Sequence, residues 1–318
     1  MAKSKIIIAS VVTAGILAAS GAYVNNSGVN TDEASNMELL TKKKKHKKNK
    51  NDSYYKQKQD NSWRNNNSNG GNGYNNAQHD NAKVYNYGSS KYGENIGLPA
   101  IRQGQMILRR KAYTALYDQN MRIPRWTAWH LTRQHTYGKL SRKNAQFTED
   151  TSIRQPRATN FDYMSSGYDR GHMCPAGDNK WDSQALNESF LFSNCCPQRH
   201  NLNSGAWNDL EIRCREWAQK YGDIYIVCGP ILRGTQHRTV GKNRVVVPEA
   251  FFKVVLCMNG TPKAIGFIYE HQGKAGNMAS HACSVDKVEQ ITGYDFFAAL
   301  PDNIENRIEA SANFYDWR

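Results

Sequence analysis

The composition of the chain changes near Ile96, and that change limits where a core can form. The stretch from Thr41 to Asn95 opens with Lys42, Lys43, Lys44, Lys45, His46, Lys47 and Lys48, and ten of the 31 residues from Asn51 to Asn81 are asparagine, interleaved with Gly, Ser, Gln and scattered Tyr. Such a segment has too little apolar surface to offset the entropy of ordering it, so it reads as a disordered tether. A substantial core must therefore come from residues 96–318, and these 223 residues are enough for one.

Charge narrows the partners without choosing among them. The 318 residues carry 42 Lys and Arg against 28 Asp and Glu, a formal charge of +14. Residues 1–95 hold 14 basic and 7 acidic side chains and residues 96–318 hold 28 and 21, so each part contributes +7. A surplus of this kind attracts nucleic acid, anionic lipid or acidic glycans, and it says nothing about fold. The seven cysteines, Cys174, Cys195, Cys196, Cys214, Cys228, Cys257 and Cys283, include no CxxC pair, which disfavours a zinc ribbon or finger. They read as buried small apolar residues, with room for one disulfide bridge.

At the N-terminus, Lys3 and Lys5 precede an uncharged, largely apolar run from Ile6 to Val24 that ends near Ser20-Gly21-Ala22. A basic start, an apolar middle and a small-residue exit fit a signal peptide. The 19-residue run also approaches a bilayer span, so an uncleaved anchor that associates residues 6–24 with a membrane is the second reading. In both, the lysines before the run, with Asp32, Glu33 and Glu38 after it, place the remainder outside the cytoplasm: secreted, periplasmic or anchored facing outward. The expected organisation is a leader or anchor over 1–24, the tether over 25–95 and a catalytic domain over 96–318.

Within 96–318, apolar runs predict strands at 190–192, 224–228, 244–247, 251–258 and 264–269. Helical periodicity predicts helices over 203–221, 284–292 and 301–315, with Ser284 a good first-turn residue and Gly293 a stop. Strands and helices do not alternate regularly, which favours an α+β fold over a doubly wound sheet.

The chemistry concentrates in Gly167-Tyr168-Asp169-Arg170-Gly171-His172-Met173-Cys174-Pro175-Ala176-Gly177-Asp178, followed by Ser193-Asn194-Cys195-Cys196-Pro197-Gln198, Asn203 and Glu211. Asn203 and Glu211 are eight residues apart, so one helix sets them about two turns apart on roughly one side. Oxygen donors so placed suit a hard cation such as magnesium.

These stretches, with the later IYIVCGP and SVDKVEQITGYDFF, resemble the DNA/RNA non-specific endonucleases, including the endonuclease G-like enzymes, within the ββα-metal (His-Me finger) nucleases. The resemblance spans roughly 96–318 and includes an Asn 31 residues and a Glu 39 residues after His172. It implies a mixed, mainly antiparallel sheet flanked by helices, and cleavage of DNA and RNA with little sequence preference. By the same resemblance His172 is the general base and Asn203 the sole protein ligand of one Mg²⁺, for which Mn²⁺ substitutes. Glu211 orients the metal's waters, and Arg170 and Arg142 hold phosphate, Arg142 preceding Phe147-Thr148-Glu149-Asp150. Asp169 and Asn194 hold the loop and orient the histidine. Apart from the resemblance, the Trp and Tyr residues read mostly as core or interface anchors, with Tyr168 and Trp207 as the candidates for lining a nucleic-acid groove. From another class, the alternative is a catalytically silent surface nucleic-acid-binding protein used for adhesion or uptake. Neither a protein inhibitor nor an oligomeric state is legible.

Overall fold

The computed structural model describes residues 95–271 and 276–318, so the leader and tether expected before residue 95 lie outside the described residues. In chain order the strands and α-helices are β1 (Met106–Arg109), β2 (Thr114–Asp118), β3 (Ile123–Thr132), α1 (Asn160–Tyr163), β4 (Asp169–His172), α2 (Ser183–Ser189), β5 (Cys195–Gln198), α3 (Trp207–Tyr221), β6 (Asp223–Ile231), β7 (Thr239–Val240), β8 (Val245–Val246), β9 (Ala250–Cys257), β10 (Lys263–Glu270), β11 (Ala282–Cys283), α4 (Val285–Thr292) and α5 (Asp302–Glu309). The fold is α+β. Its main sheet has the order β1-β2-β3-β6-β9-β10-β11, and every neighbouring pair is antiparallel. Among the described residues the parallel pairing is the isolated bridge of Thr148 to Leu191.

Both faces of this sheet are covered, which explains why its central strands read as continuous apolar runs rather than as alternation. Along β9, Phe251, Val255 and Cys257 join one buried cluster, and Ala250, Phe252, Val254 and Leu256 join another. The first cluster takes in Trp207, Leu210, Cys214, Trp217 and Ala218, the apolar stripe of α3. The second takes in Val285 and Val288 of α4, Ile308 of α5, and Phe296, Phe297 and Leu300 between those helices. The seven cysteines are all free thiols and six of them are buried, so no bridge forms.

Two predicted elements differ. The run Phe190–Phe192 is no strand: Asp182 caps α2, accepting from the Ala185 N–H at 3.0 Å, and the two aromatics lie where that helix ends and a 3₁₀ turn begins. Three apolar residues carry no period long enough to separate the two cases. The helix expected over 301–315 stops at Glu309, and Asn313 caps a separate 3₁₀ turn, Phe314–Trp317, whose Trp317 packs 4.8 Å from Trp217. Strands β1 to β3 are absent from the predicted set: β1 and β2 are four and five residues long, and in the ten-residue β3 Pro124 and Arg125 interrupt the apolar run near its start.

A small hairpin places the chemistry on the α3 side. β4 pairs antiparallel with β5, matching Asp169 to Gln198 and His172 to Cys195. Gly171 permits it, because a Cβ there would stand 2.3 Å from Gln198 Oε1 and 2.7 Å from Gln198 Cβ. Gly171→Ala is expected to destabilise the protein by about 1–3 kcal/mol through overpacking. Thermal unfolding of the two proteins checks this.

Candidate active site

Alternation along β4 puts Arg170 and His172 on one face and Asp169 on the other. His172 is clamped by two rings, Phe147 with its centroid at 5.0 Å and Phe190 edge-on at 4.9 Å. Its Nε2 is buried and has no hydrogen-bond partner within the protein. Burial, and then the nearby Arg142 guanidinium, lower its pKa to about 4. At neutral pH the ring is therefore uncharged, with a lone pair available to take a proton.

Arg170 shares the Phe147 surface. Its guanidinium lies 5.7 Å from the Phe147 ring centre and 5.8 Å from that of Tyr163. Its Nε and Nη2 both donate to Asn160 Oδ1, at 3.0 and 2.6 Å, so the fork is held in place by α1. Arg142 is exposed on the loop before Phe147, close enough for its charge to act on both His172 and Glu211.

Asp169 serves a different partner from the one expected. It sits across the strand from His172, and its Oδ2 accepts from Asn203 Nδ2 at 2.9 Å and hydrogen-bonds with His200 Nδ1 at 2.8 Å. Asn203 lies in a π-helical turn, Leu202–Ala206, that leads into α3 and is kinked at Gly205. Because its amide nitrogen is committed to Asp169, its amide oxygen is left over, a donor of the kind that a hard cation takes. Asn194 holds the loop that follows His172. Fully buried, it accepts from the Cys174 N–H at 2.9 Å and donates to the Cys174 and Ser189 carbonyls at 2.8 and 2.9 Å.

Glu211 projects from the second turn of α3. Burial pushes its carboxyl up to about 7 and Asp178 adds to the rise, against the cations Lys253, Arg215 and Arg142. Sequence reasoning missed this surrounding group. Arg215 follows Glu211 by four residues on α3 and pairs with the buried Asp178 at 2.9 Å, whose other oxygen accepts from Trp129 Nε1 at 3.1 Å. The i,i+4 spacing of Glu211 and Arg215 was the available signal for the first contact. Lys253 had none. Its side chain is fully buried in β9, with Nζ 4.5 Å from the Trp207 ring centre and 5.2 Å from that of Trp129.

Both aromatic candidates lie in the core. Trp207 is fully buried and Tyr168 is 8% exposed beneath Arg199 and Arg238, so neither ring presents a face to a base. Cys174 is likewise buried, and desolvation pushes its thiol well up, which removes it as a nucleophile.

A hairpin carrying Asp-Arg-Gly-His, joined to a helix that brings an asparagine and a glutamate beside it, also describes a known group of enzymes. The model of the DNA/RNA non-specific endonucleases matches residues 93–303. The chain belongs to this family. Nuclease EXOG, mitochondrial, of Danio rerio is 36% identical over 200 residues, which are 58% of this chain and 58% of the relative. Endonuclease G, mitochondrial, of Homo sapiens is 35% identical over 170 residues, 50% of this chain and 56% of the relative. Among solved structures, the EndoG/EndoGI complex contains a chain that is similar with a TM-score of 0.61 at 28% identity, covering 66% of this chain and 90% of that one. The chain thus spans 58% of the length of the first of these relatives.

The family members among these relatives correct one expectation. They are named as mitochondrial nucleases, which overturns the placement of the chain as secreted, periplasmic or anchored facing outward. A basic, apolar leader does not by itself specify the membrane it addresses.

The field of Arg142 on His172 has a measurable consequence. Arg142→Gln is expected to raise the His172 pKa from about 4 toward the ordinary histidine value. An NMR titration of the ring protons reads the shift directly.

Proposed function

We propose that the chain is a metal-dependent endonuclease that hydrolyses phosphodiester bonds of DNA and RNA with little sequence preference, its catalytic unit lying within residues 96–318. The observation that carries this reading is the neutral, partly exposed His172, whose ring makes no hydrogen bond with the protein, near Arg142 and packed on the same Phe147 ring as Arg170. His172 acts as the base that takes the proton from the attacking water. Arg170, braced by Asn160, and Arg142, on the loop, meet the phosphate oxygens as negative charge builds on them.

The Asn203 amide oxygen fits a hard cation, and Asp169 keeps the amide in that orientation. Asn203 would hold one Mg²⁺, with Mn²⁺ as substitute, and Glu211 would orient the waters around it. When bound, that ion supplies Lewis-acid stabilisation of the charge on phosphate and the departing oxygen. Nothing in the matched region is a recognised base-reading module, so phosphate contacts dominate and affinity falls steeply with added salt.

Incubating the protein with supercoiled plasmid and with RNA, in Mg²⁺ and in EDTA, tests the reading. Cleavage in Mg²⁺ alone is expected, with His172→Ala slower by about 10²- to 10⁴-fold and Glu211→Gln impaired less than His172→Ala. Retarded but uncut nucleic acid, with His172→Ala indistinguishable from the parent, would establish the silent binding protein instead.

In the Glu211→Gln protein, where the carboxyl pushed up to about 7 no longer titrates, the acid limb of kcat/KM reports the free enzyme and is expected near pH 4, where His172 gains its proton, rather than near 6.5. In kcat the limb moves upward, because the bound phosphodiester anion offsets the field of Arg142. A kcat/KM limb at or above 6.5 would contradict the assignment of His172 as a low-pKa base.

A further inference from the structure

On the side of the sheet away from the hairpin, α4 and α5 bring together acidic side chains that the nuclease chemistry does not use. Asp286 and Glu289 lie one turn apart on α4, Glu305 and Glu309 one turn apart on α5, and Asp295 in the segment between. Single carboxylate oxygens of Asp286, Glu289 and Glu309 all lie within 4.8 Å of one another. The group is anchored from within, since Glu289 accepts from the Phe296 N–H at 2.7 Å.

Crowding alone would say little, because acidic clusters are common on protein surfaces. Glu309 is different. It is 5% exposed, and its Oε1 is buried with no hydrogen-bond partner. Among the described residues none of Asp286, Glu289, Asp295, Glu305 and Glu309 takes part in an ion pair. The neighbouring Lys287 directs its Nζ to Gln290 Oε1 at 3.1 Å instead. A buried carboxylate oxygen without a donor, beside two further carboxylates and no paired cation, needs either a proton or a metal ion to be stable.

We propose that Asp286, Glu289 and Glu309 form a second, structural site for a hard divalent cation of the calcium class, which ties α4 to α5. The ligand set is all carboxylate oxygen and comes from two helices. Calcium accepts six to eight oxygens in flexible geometry and completes its shell with water, whereas magnesium demands near-ideal octahedral placement and sheds water reluctantly.

The test uses the full chain carrying Asn203→Ala, so that an ion at the catalytic centre does not contribute. After stripping with EDTA, Ca²⁺ is added and followed by calorimetry and by thermal unfolding. One saturable equivalent is expected, and Tm should rise by about 5–10 °C at a Ca²⁺ concentration a hundredfold above Kd. Adding Glu309→Gln should abolish both effects while leaving Tm in EDTA equal or higher, because repulsion is relieved. Asp286→Asn, at an exposed position that does not threaten folding, should weaken binding at least tenfold; alone, in the otherwise unaltered chain, it should leave Mg²⁺-supported cleavage at 25 °C unchanged. If no equivalent of Ca²⁺ binds, or if it binds equally well to the Asp286→Asn protein, the site is a protonated carboxyl cluster and the proposal fails.

Discussion

The packing of α3 across one face of the antiparallel sheet is the constraint on which the site depends. Trp207 opens that helix fully buried, and the ammonium of Lys253 lies between the Trp207 and Trp129 rings. Trp129 in turn donates to Asp178, which holds Arg215 of the same helix. A cation held against two indoles and facing buried carboxylates gains from both, since the aromatic faces are negative and little water screens the charges. The helix that carries Glu211 and follows Asn203 is thereby fixed in rotation, and with it the side of the site opposite the hairpin.

Against that fixed helix, the hairpin of β4 and β5 carries His172, the base of the proposed reaction. Asp169 joins the two halves, its Oδ2 bonded to both Asn203 and His200. Around it the electrostatics diverge by position. His172, between two phenyl rings and near Arg142, is held neutral, while Glu211, buried near Asp178, is pushed up toward neutrality despite three cations in its surroundings. A site of this kind resists charge at its base and offers guanidinium groups toward solvent, which suits a substrate that arrives negatively charged.

Much of the site was legible because its residues stand in two short segments. His172, Arg170, Asp169, Asn203 and Glu211 all stand out by motif and spacing, but the single helix expected to carry both Asn203 and Glu211 is broken at Gly205, which leaves Asn203 in the π-helical turn before α3. Adjacency in sequence suggests that Asp169 orients the histidine, whereas its carboxylate meets Asn203 and His200, because a strand sends residues three apart to opposite faces. Strands β6, β9 and β10 were legible as apolar runs, but β1 to β3 were not, and Phe190–Phe192 was mistaken for a strand.

By itself, the sequence determined the α+β class and the family, and it singled out the residues to which the proposed chemistry is assigned, since all of these are written in local composition and spacing. Tertiary structure alone decided that Lys253 lies between two tryptophans, that Asp178 braces Arg215, that Tyr168 and Trp207 are buried rather than offered to bases, and that Glu309 meets Asp286 and Glu289. The reason is physical: each of these contacts joins side chains far apart in the chain, and their protonation and exposure follow from which apolar faces are buried against one another, a property that no short stretch of sequence carries.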